Sequence, residues 1–219
     1  MKILLLGATG RTGREVLSQA LDAGISVNVV VRNQRKLKLV HSALTVFESE
    51  VLDREVLRNA MQDCDAVLST LNISRYSDFP WSSLRTPEAF LSNTIQKVLV
   101  IAAALNLKRI IVISAWGVHE TRQDIPFWFR WLIDRSNIGA GYRDHERQEI
   151  LLKASSLDWT AIRPVGLTNF KREKLIRTTV NDNKPKPGLL ISRSNVARFM
   201  LQVYRTHSFV RQAVIISEA

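Results

Sequence analysis

A short apolar run followed by three evenly spaced glycines begins the chain. Residues Ile3 to Leu6 are all apolar, which predicts a strand buried on both faces of a parallel sheet. The next seven residues read G-A-T-G-R-T-G, with glycines at positions 7, 10 and 13. Apolar residues then recur at helical spacing, and Gly24 stands where a helix would end. The pattern predicts a strand, a tight turn and a helix.

Each glycine has its own expected role at this turn. Gly7 can take the backbone angles of a tight turn, Gly10 leaves room for a diphosphate, and Gly13 lets the helix pack close to the strand. The helix N-terminus offers free N–H groups and partial positive charge to the same diphosphate. The spacing differs from the general dinucleotide fingerprint G-x-G-x-x-G, so a tight turn without a ligand is the alternative. The flanking strand and helix favour a dinucleotide site.

Strand and helix patterns alternate, which predicts an α/β fold with a parallel sheet. Further strands are predicted at Ser26–Val31, Leu44–Phe47, Asp65–Thr70, Arg109–Ser114, Asp158–Arg163 and Val210–Ile216. Further helices are predicted at Leu52–Met61 (with Asp53 as N-cap), Ala89–Leu105, Tyr142–Ser155 and Ser192–Tyr204 (capped by Ser192 or Ser194). No repeat or long linker divides the 219 residues. We therefore expect one domain, 1–219, a Rossmann-type doubly wound parallel sheet with helices on both faces and a substrate side built from C-terminal insertions.

Three segments do not follow this alternation. Residues Ser74 to Pro87 are irregular and are typical of an active-site loop, and Pro185 and Pro187 mark another loop. The stretch Pro126 to Ile133 holds four aromatic residues within five positions, Phe127, Trp128, Phe129 and Trp131. We expect this stretch to form a wall or lid of an acceptor pocket. Core packing and a dimer contact are the alternatives.

Composition limits the compartment and the partners. The single cysteine, Cys64, excludes an internal disulfide and fits a reducing compartment, and no secretory signal or membrane-spanning run is apparent. We therefore expect a cytoplasmic protein. The formal net charge of +11 is compatible with nucleic acid, with an anionic membrane surface, or with a basic enzyme that has an anionic cofactor. The basic residues are dispersed and match no nucleic-acid-binding motif, so nucleic acid is not an expected partner.

The residue after the second predicted strand indicates which cofactor is bound. Sites for NAD offer Asp or Glu about twenty residues past the glycines, to hold the ribose 2′-hydroxyl. This chain offers Arg32, followed by Arg35 and Lys36. A guanidinium binds a 2′-phosphate that a carboxylate would repel, and Arg11 in the glycine turn could reach the same group. The position predicts NADP(H); a solvated basic turn is the alternative.

Several segments together resemble the atypical short-chain dehydrogenase/reductase superfamily, in particular its NAD(P)H-binding NmrA-like and biliverdin reductase B-like (flavin reductase-like) members. The specific matches are G-A-T-G-R-T-G and the segment S-L-D-W-T-A-I-R-P-V-G-L-T at 156–168, supported by I-S-A-W-G-V at 113–118 and I-S-R-S-N-V-A at 191–197. The resemblance implies cofactor contacts at Gly7, Thr9, Gly10, Arg11, Thr12, Gly13, Arg32, Glu50, Val51, Thr70, Leu71, Asn72, Ser114, Pro164, Val165, Gly166 and Leu167. Among these, Glu50 and Val51 would line the adenine pocket. Pro164 would turn the chain out of the sheet, so that backbone groups of Val165 to Leu167 could hold the nicotinamide carboxamide.

Three side chains are candidates for catalysis. Ser114 could polarise or orient a carbonyl substrate, and the alternative is a serine that caps a strand end. Tyr142 is followed four residues on by Glu146 instead of the Lys of a Tyr-x-x-x-Lys dyad, and a carboxylate there would raise the tyrosine pKa. His145 could donate a proton, although a surface helix histidine is more common. A zinc site at His145 and Glu149 lacks a third ligand, so no metal is expected.

A site without the Tyr–Lys dyad suits direct hydride transfer, which needs little more than stacking and orientation of the acceptor. We therefore expect an NADPH-dependent reductase that transfers a hydride to a small-molecule acceptor, such as a flavin, a quinone or a similar conjugated compound. The alternative, implied by the NmrA-like resemblance, is a redox-sensing regulator that binds NADP(H) without turnover. The sequence does not indicate an oligomeric state.

Overall fold

The computed structural model describes residues 1–37, 39–170, 172–180 and 186–219. Ten strands lie in this part of the chain: β1 Lys2–Leu6, β2 Ser26–Val31, β3 Leu44–Glu48, β4 Ala66–Ser69, β5 Arg109–Ile113, β6 Asp158–Pro164, β7 Gly166–Thr168, β8 Ile176–Thr179, β9 Leu190–Ser192 and β10 Gln212–Glu218. The helices described there are α1 Arg11–Asp22, α2 Arg54–Met61, α3 Phe90–Ala104, α4 Phe127–Arg135, α5 Ile138–Ala154 and α6 Arg193–Thr206. Short 3₁₀ turns occupy Gln34–Lys36 and His119–Gln123.

Eight of the strands form one sheet in the order β3-β2-β1-β4-β5-β6-β10-β8. All neighbouring pairs are parallel except β10 with β8, which is antiparallel. The order reverses between β1 and β4, and ligands bind outside the carboxyl ends of the strands at such a switch point. Strands β7 and β9 form a separate parallel pair. The expected Rossmann-type α/β fold is confirmed.

The sheet separates two apolar layers. One contains the buried residues of α1 and α6, including Val16, Leu17 and Phe199. The other contains those of α2 and α3, including Leu57, Ile95 and Val98, and α5 packs against α3. Strands β1, β4 and β5 contribute side chains to both layers, and this explains why they are continuously apolar. None of the described helices is long and apolar enough to cross a membrane.

Several local expectations are confirmed. Asp53 caps α2, because its side chain accepts hydrogen bonds from the backbone N–H groups of Glu55 and Val56. Ser192, not Ser194, caps α6, since its hydroxyl accepts from the N–H of Asn195. The segment around Pro187 has no regular structure, whereas Pro185 lies outside the described residues.

Other boundaries differ from expectation for physical reasons. Strand β10 begins at Gln212 instead of Val210, because Phe209 and Arg211 have φ angles of 53° and 57°, which break an extended chain. Helix α5 begins four residues before Tyr142, in a stretch whose two glycines disfavour helix and so conceal its start. The β7–β9 pair was not expected, since three-residue strands are too short to show alternation.

Candidate functional site

The turn between β1 and α1 is shaped by its glycines. Gly7 has a φ of +86°, a conformation that residues with a side chain rarely adopt. A Cβ on Gly13 would lie 2.1 Å from the carbonyl oxygen of Gly7, so only glycine allows this approach of helix to strand. Gly10 is the N-cap of α1 and makes no side-chain capping bond, which leaves N–H groups of the first turn available to a ligand. The turn therefore fits a diphosphate.

A cleft of about 540 Å³ opens beside this turn, at the carboxyl ends of β1 and β4. Eleven of the predicted cofactor residues line it: Gly7, Thr9, Gly10, Arg11, Thr12, Arg32, Val51, Thr70, Leu71, Asn72 and Leu167. The Thr70 hydroxyl donates to the carbonyl of Leu6 at 3.0 Å, and this bond ties the end of β4 to the glycine turn. The structure thus brings most of the predicted set together in one cleft.

The remaining predicted residues lie elsewhere. Gly13 is buried beneath the turn, Glu50 is exposed outside the cleft while its neighbour Ser49 lines it, and Ser114 is buried. Pro164, Val165 and Gly166 also lie outside the lining. The N–H groups of Val165 and Gly166 donate to the carbonyls of Ile216 and Leu189, at 3.2 and 3.0 Å. These two amides are therefore not free to hold a carboxamide, and Leu167 is the member of this segment at the cleft.

Arginine dominates the charged lining of the cleft. The arginines are Arg11, Arg14, Arg32, Arg75, Arg85 and Arg193, against a single acidic residue in the lining, Asp78. Arg11 pairs with Asp78 at 3.0 Å, which connects the glycine turn to the 74–87 segment. Burial lowers the pKa of Arg193, and the nearby charge of Arg11 lowers it further. The field in this cleft favours anionic ligands.

Sequence reasoning had identified only Arg11 and Arg32 of these six. Arg75 and Arg85 lie in the 74–87 segment, which was predicted to belong to the site without any residue being named. Arg193 stands inside the I-S-R-S-N-V-A match, and this was the available signal for its position at the cleft. Nothing in the periodicity of α1 distinguishes Arg14, in its first turn, from an ordinary solvent-facing residue.

A buried polar network holds Ser114 at the end of β5. The Ser114 hydroxyl donates to Glu149 Oε1 at 2.6 Å. Arg163 binds both oxygens of Glu149, with Nε to Oε1 at 2.9 Å and Nη2 to Oε2 at 2.6 Å, and its Nη1 reaches Glu120 at 2.5 Å. The Ser114 hydroxyl therefore already donates its one hydrogen bond to Glu149. Unless this bond opens, the hydroxyl can only accept a hydrogen bond from a substrate. Sequence reasoning missed Arg163 and Glu120 as parts of this network.

Tyr142 and His145 are poor proton donors in this structure. Burial raises the pKa of Tyr142 to about 12, and Arg122 opposes the shift only in part. The direction is the one expected, but the cause is burial instead of Glu146, whose carboxylate accepts from the N–H of His119. His145 is buried, so its interpretation as a surface histidine was wrong, and burial lowers its pKa to about 4. At neutral pH the His145 ring is therefore uncharged and does not serve as an acid.

The aromatic stretch forms α4, and its rings do not line the cleft. Phe129 packs edge-on against Tyr142, with 6.1 Å between ring centroids, whereas Phe127, Trp128 and Trp131 are exposed. Core packing is therefore wrong for three of the four rings. Among the described residues no group of three His, Cys, Asp or Glu side chains is arranged to hold a metal ion.

Comparison with known proteins identifies a matching family and related proteins. A family model described as NAD(P)H-binding matches residues 7–207. The oxidoreductase stcQ of Emericella nidulans is 27% identical over 180 residues, which cover 75% of this chain and 65% of that protein. This chain therefore spans less than two thirds of the length of that relative.

Two solved structures show the same fold. The anaerobilin reductase ChuY of Escherichia coli O157:H7 superposes with a TM-score of 0.81, at 19% identity over 100% of this chain and 97% of that one. A short-chain dehydrogenase/reductase of Veillonella parvula in complex with NADP superposes with a TM-score of 0.79, at 16% identity over 99% and 94% of the two chains. These two likenesses show the fold, and the cofactor class that goes with the family match is a nicotinamide dinucleotide.

Proposed function

This chain belongs to the NAD(P)H-binding family, and from that membership we propose that it is an NADPH-dependent reductase of a flavin, quinone or similar conjugated small molecule. The observation that carries the proposal is the cleft at the β1–β4 switch point. One wall of this cleft is a glycine turn in which a Cβ on Gly13 would meet backbone at 2.1 Å, and its charged lining is almost entirely arginine.

The choice of NADPH over NADH is supported by the position of Arg32. This residue follows β2 directly and lines the cleft together with Arg11 and Val51. No acidic side chain stands at the end of β2, where an NAD site would use one for the ribose 2′-hydroxyl. Two guanidinium groups at this edge suit a 2′-phosphate, which binds them through charge-assisted hydrogen bonds.

The residues of this chain would act mainly by position. A bound nicotinamide supplies the hydride, and the protein holds donor and acceptor in contact and excludes water. Ile113, at the end of β5, and Leu167, within β7, give the cleft apolar surface. Tyr142 keeps its proton because burial raises its pKa, and Ser114 is held by Glu149. Flavins and quinones take up a hydride without an acid from the enzyme. They therefore suit a site whose side chains offer no ready proton donor.

The test measures NADPH oxidation at 340 nm with FMN and with menadione as acceptors, alongside a binding titration of NADPH and NADH. We expect NADPH to bind more tightly than NADH and to be oxidised when an acceptor is added. The matched control is Gly13→Val. Its side chain would clash with Gly7 in the glycine turn, so the variant should lose cofactor binding. Tight NADPH binding without oxidation by either acceptor would contradict the reductase.

One observation favours a second function, a regulator that senses the redox state by binding NADP(H). The Ser114 hydroxyl donates its hydrogen bond to Glu149, His145 is buried with a lowered pKa, and Tyr142 has a raised pKa, so none of the three candidates is a ready proton donor. A regulator needs no proton donor. It would bind NADP⁺ and NADPH with different affinities. With FMN or menadione as the acceptor, it would oxidise NADPH no faster than buffer alone does.

A further inference from the structure

Five exposed aromatic side chains lie on α4 and on the segment that is hydrogen-bonded to its end, and the proposed function uses none of them. Together we call them the aromatic face, which consists of Phe79, Trp81, Phe127, Trp128 and Trp131. The three rings of α4 are 77%, 58% and 57% exposed, in chain order, and Phe79 and Trp81 are also exposed. Apolar side chains scattered singly over a surface are ordinary, but a group of large rings marks an interaction site.

The two segments of the aromatic face are joined by hydrogen bonds. The indole Nε1 of Trp81 donates to the carbonyl of Arg135 at 2.7 Å, at the end of α4. The side-chain amide of Asn137 donates to the carbonyl of Trp81 at 3.0 Å, and the backbone N–H of Asn137 donates to the carbonyl of Pro80 at 3.1 Å. Phe79 stacks at a tilt on Trp81, with 5.4 Å between centroids. The face is thus a fixed surface, because its loop is bonded to a helix end.

The core does not need these rings. Helix α4 already packs inward through Ile133, which is buried, and through Phe129, which contacts Tyr142. The outward positions 127, 128 and 131 could be polar without loss of packing, and they carry one phenylalanine and two tryptophans instead. Tryptophan is the residue that favours the boundary between water and lipid, where its ring is buried and its N–H stays near polar groups.

Charge distinguishes the possible occupants of this face. The chain carries a net charge of +11, so a second copy would bring like charge against like charge. An anionic bilayer surface attracts the same charge, through each basic residue near the lipid. The helix itself carries Arg130 and Arg135 beside the rings, and its one acid, Asp134, is paired with Arg122. Exposed aromatic rings combined with basic side chains are typical of interfacial membrane helices.

We propose that the aromatic face docks on the surface of an anionic lipid bilayer, with the rings inserted among the acyl chains and the arginines at the headgroups. Asp78 lines the cleft and Phe79, the next residue, belongs to the face, so docking holds the cleft mouth against the lipid. The inference concerns attachment alone and does not require that the chain turn over a substrate.

The test is co-sedimentation of the full chain with vesicles of phosphatidylcholine alone and of phosphatidylcholine mixed with phosphatidylserine. We expect binding to the mixed vesicles, weakened by high salt, and a blue shift of tryptophan emission. The double variant Trp128→Ser/Trp131→Ser should weaken binding about tenfold or more, since losing 1.4 kcal/mol already corresponds to tenfold. The matched control is Phe170→Ser, at another exposed ring, which should bind as the parent does.

Three outcomes would overturn the proposal. Absence of binding to the mixed vesicles would do so, as would undiminished binding by the double variant. A concentration-dependent dimer that the double variant abolishes would assign the face to a contact between copies instead. Because residues 128 and 131 are exposed, the double variant should keep the parent's melting temperature and NADPH titration, and this check separates loss of docking from loss of fold.

Discussion

At the scale of single residues, removing one partner of the buried ion pair between Arg163 and Glu149 should strongly destabilise the fold. Both side chains are almost completely inaccessible, at 1% and 0% exposure. Without Arg163, Glu149 would be a buried charge bonded to the Ser114 hydroxyl, and without Glu149, Arg163 would keep only its pair with Glu120. We expect Arg163→Met and Glu149→Leu each to destabilise the fold by about 3–5 kcal/mol, as for other broken buried pairs. The double variant should lose less than the sum of the two. Urea unfolding of the three variants measures this coupling, and simple additivity would contradict it.

His145 should make the fold sensitive to mild acid. Its pKa is about 4 in the folded protein, compared with 6.5 ordinarily, because burial opposes the charged ring. Between those values the unfolded chain binds a proton that the folded chain does not, so stability falls as the pH drops through this window. The loss amounts to about 3 kcal/mol at most.

Melting temperatures of the parent and of His145→Gln, measured from pH 7 to pH 4, test this effect. We expect the variant to show a shallower fall, although both proteins lose stability at lower pH as Glu120 and Glu218, whose pKa values are lowered by their partners, become protonated. Parallel curves for the two proteins would show that His145 does not cause the acid sensitivity.

The proposed preference for NADPH depends mainly on Arg32. A charge-assisted hydrogen bond is worth about 1.5–3 kcal/mol in general, and exposure of this side chain to solvent reduces that value. We therefore expect Arg32→Ala to weaken NADPH binding about tenfold and to leave NADH binding nearly unchanged. The control is Arg35→Ala, three residues on and outside the cleft lining. Equal losses for both cofactors in Arg32→Ala would remove the basis for the preference.

At the scale of secondary structure elements, α3 depends on a residue of α5 for its start. The carboxylate of Asp144 accepts from the N–H groups of Leu91 and Ser92, at 2.6 and 3.3 Å, and from the Ser92 hydroxyl at 2.6 Å. All three donors are buried, so no water replaces the carboxylate. These hydrogen bonds join α3 and α5, which pack against each other on one face of the sheet.

We expect Asp144→Ala to destabilise the fold by about 2–3 kcal/mol, because it leaves several buried donors unsatisfied. The matched control is Asp53→Ala, which removes an exposed cap within α2 and should cost about 1 kcal/mol. Chemical denaturation of the two variants compares the values. A smaller loss for Asp144→Ala than for Asp53→Ala would show that the interhelical cap is dispensable.

Elements with a strong apolar period were predictable from the sequence, and short or exposed ones were not. Strand β2 was predicted at its observed bounds, because valine, a β-branched residue that favours strands, occupies four of its six positions. Helix α4 was misread, since aromatic residues at positions 127 to 131 fit a buried wall as well as an exposed surface. Composition alone does not reveal which side of a helix faces the solvent when both sides carry rings.

In the candidate site, too, some residues were predictable from the sequence and others were not. Residues of the glycine turn were predictable, because steric limits at Gly7 and Gly13 leave few alternatives. Ser114, Val165 and Gly166 were assigned to the cofactor, but their hydrogen bonds go to Glu149, Ile216 and Leu189. These partners lie 35, 51 and 23 residues away along the chain, and local sequence patterns carry no information about such pairs.

At the scale of the whole molecule, the order of the strands controls when the fold can form. The last strand, β10, lies inside the sheet, between β6 and β8, with Val214 and Ile216 completely buried. A chain emerging from the ribosome therefore exposes the edge of β6 until residue 218 has been made and released from the exit tunnel. Until then the nascent chain holds an unpaired, apolar edge, the kind of surface that chaperones bind and that promotes aggregation. Emergence of β10 from the exit tunnel, rather than completion of the cofactor cleft, would thus be the step that commits this protein to its native state.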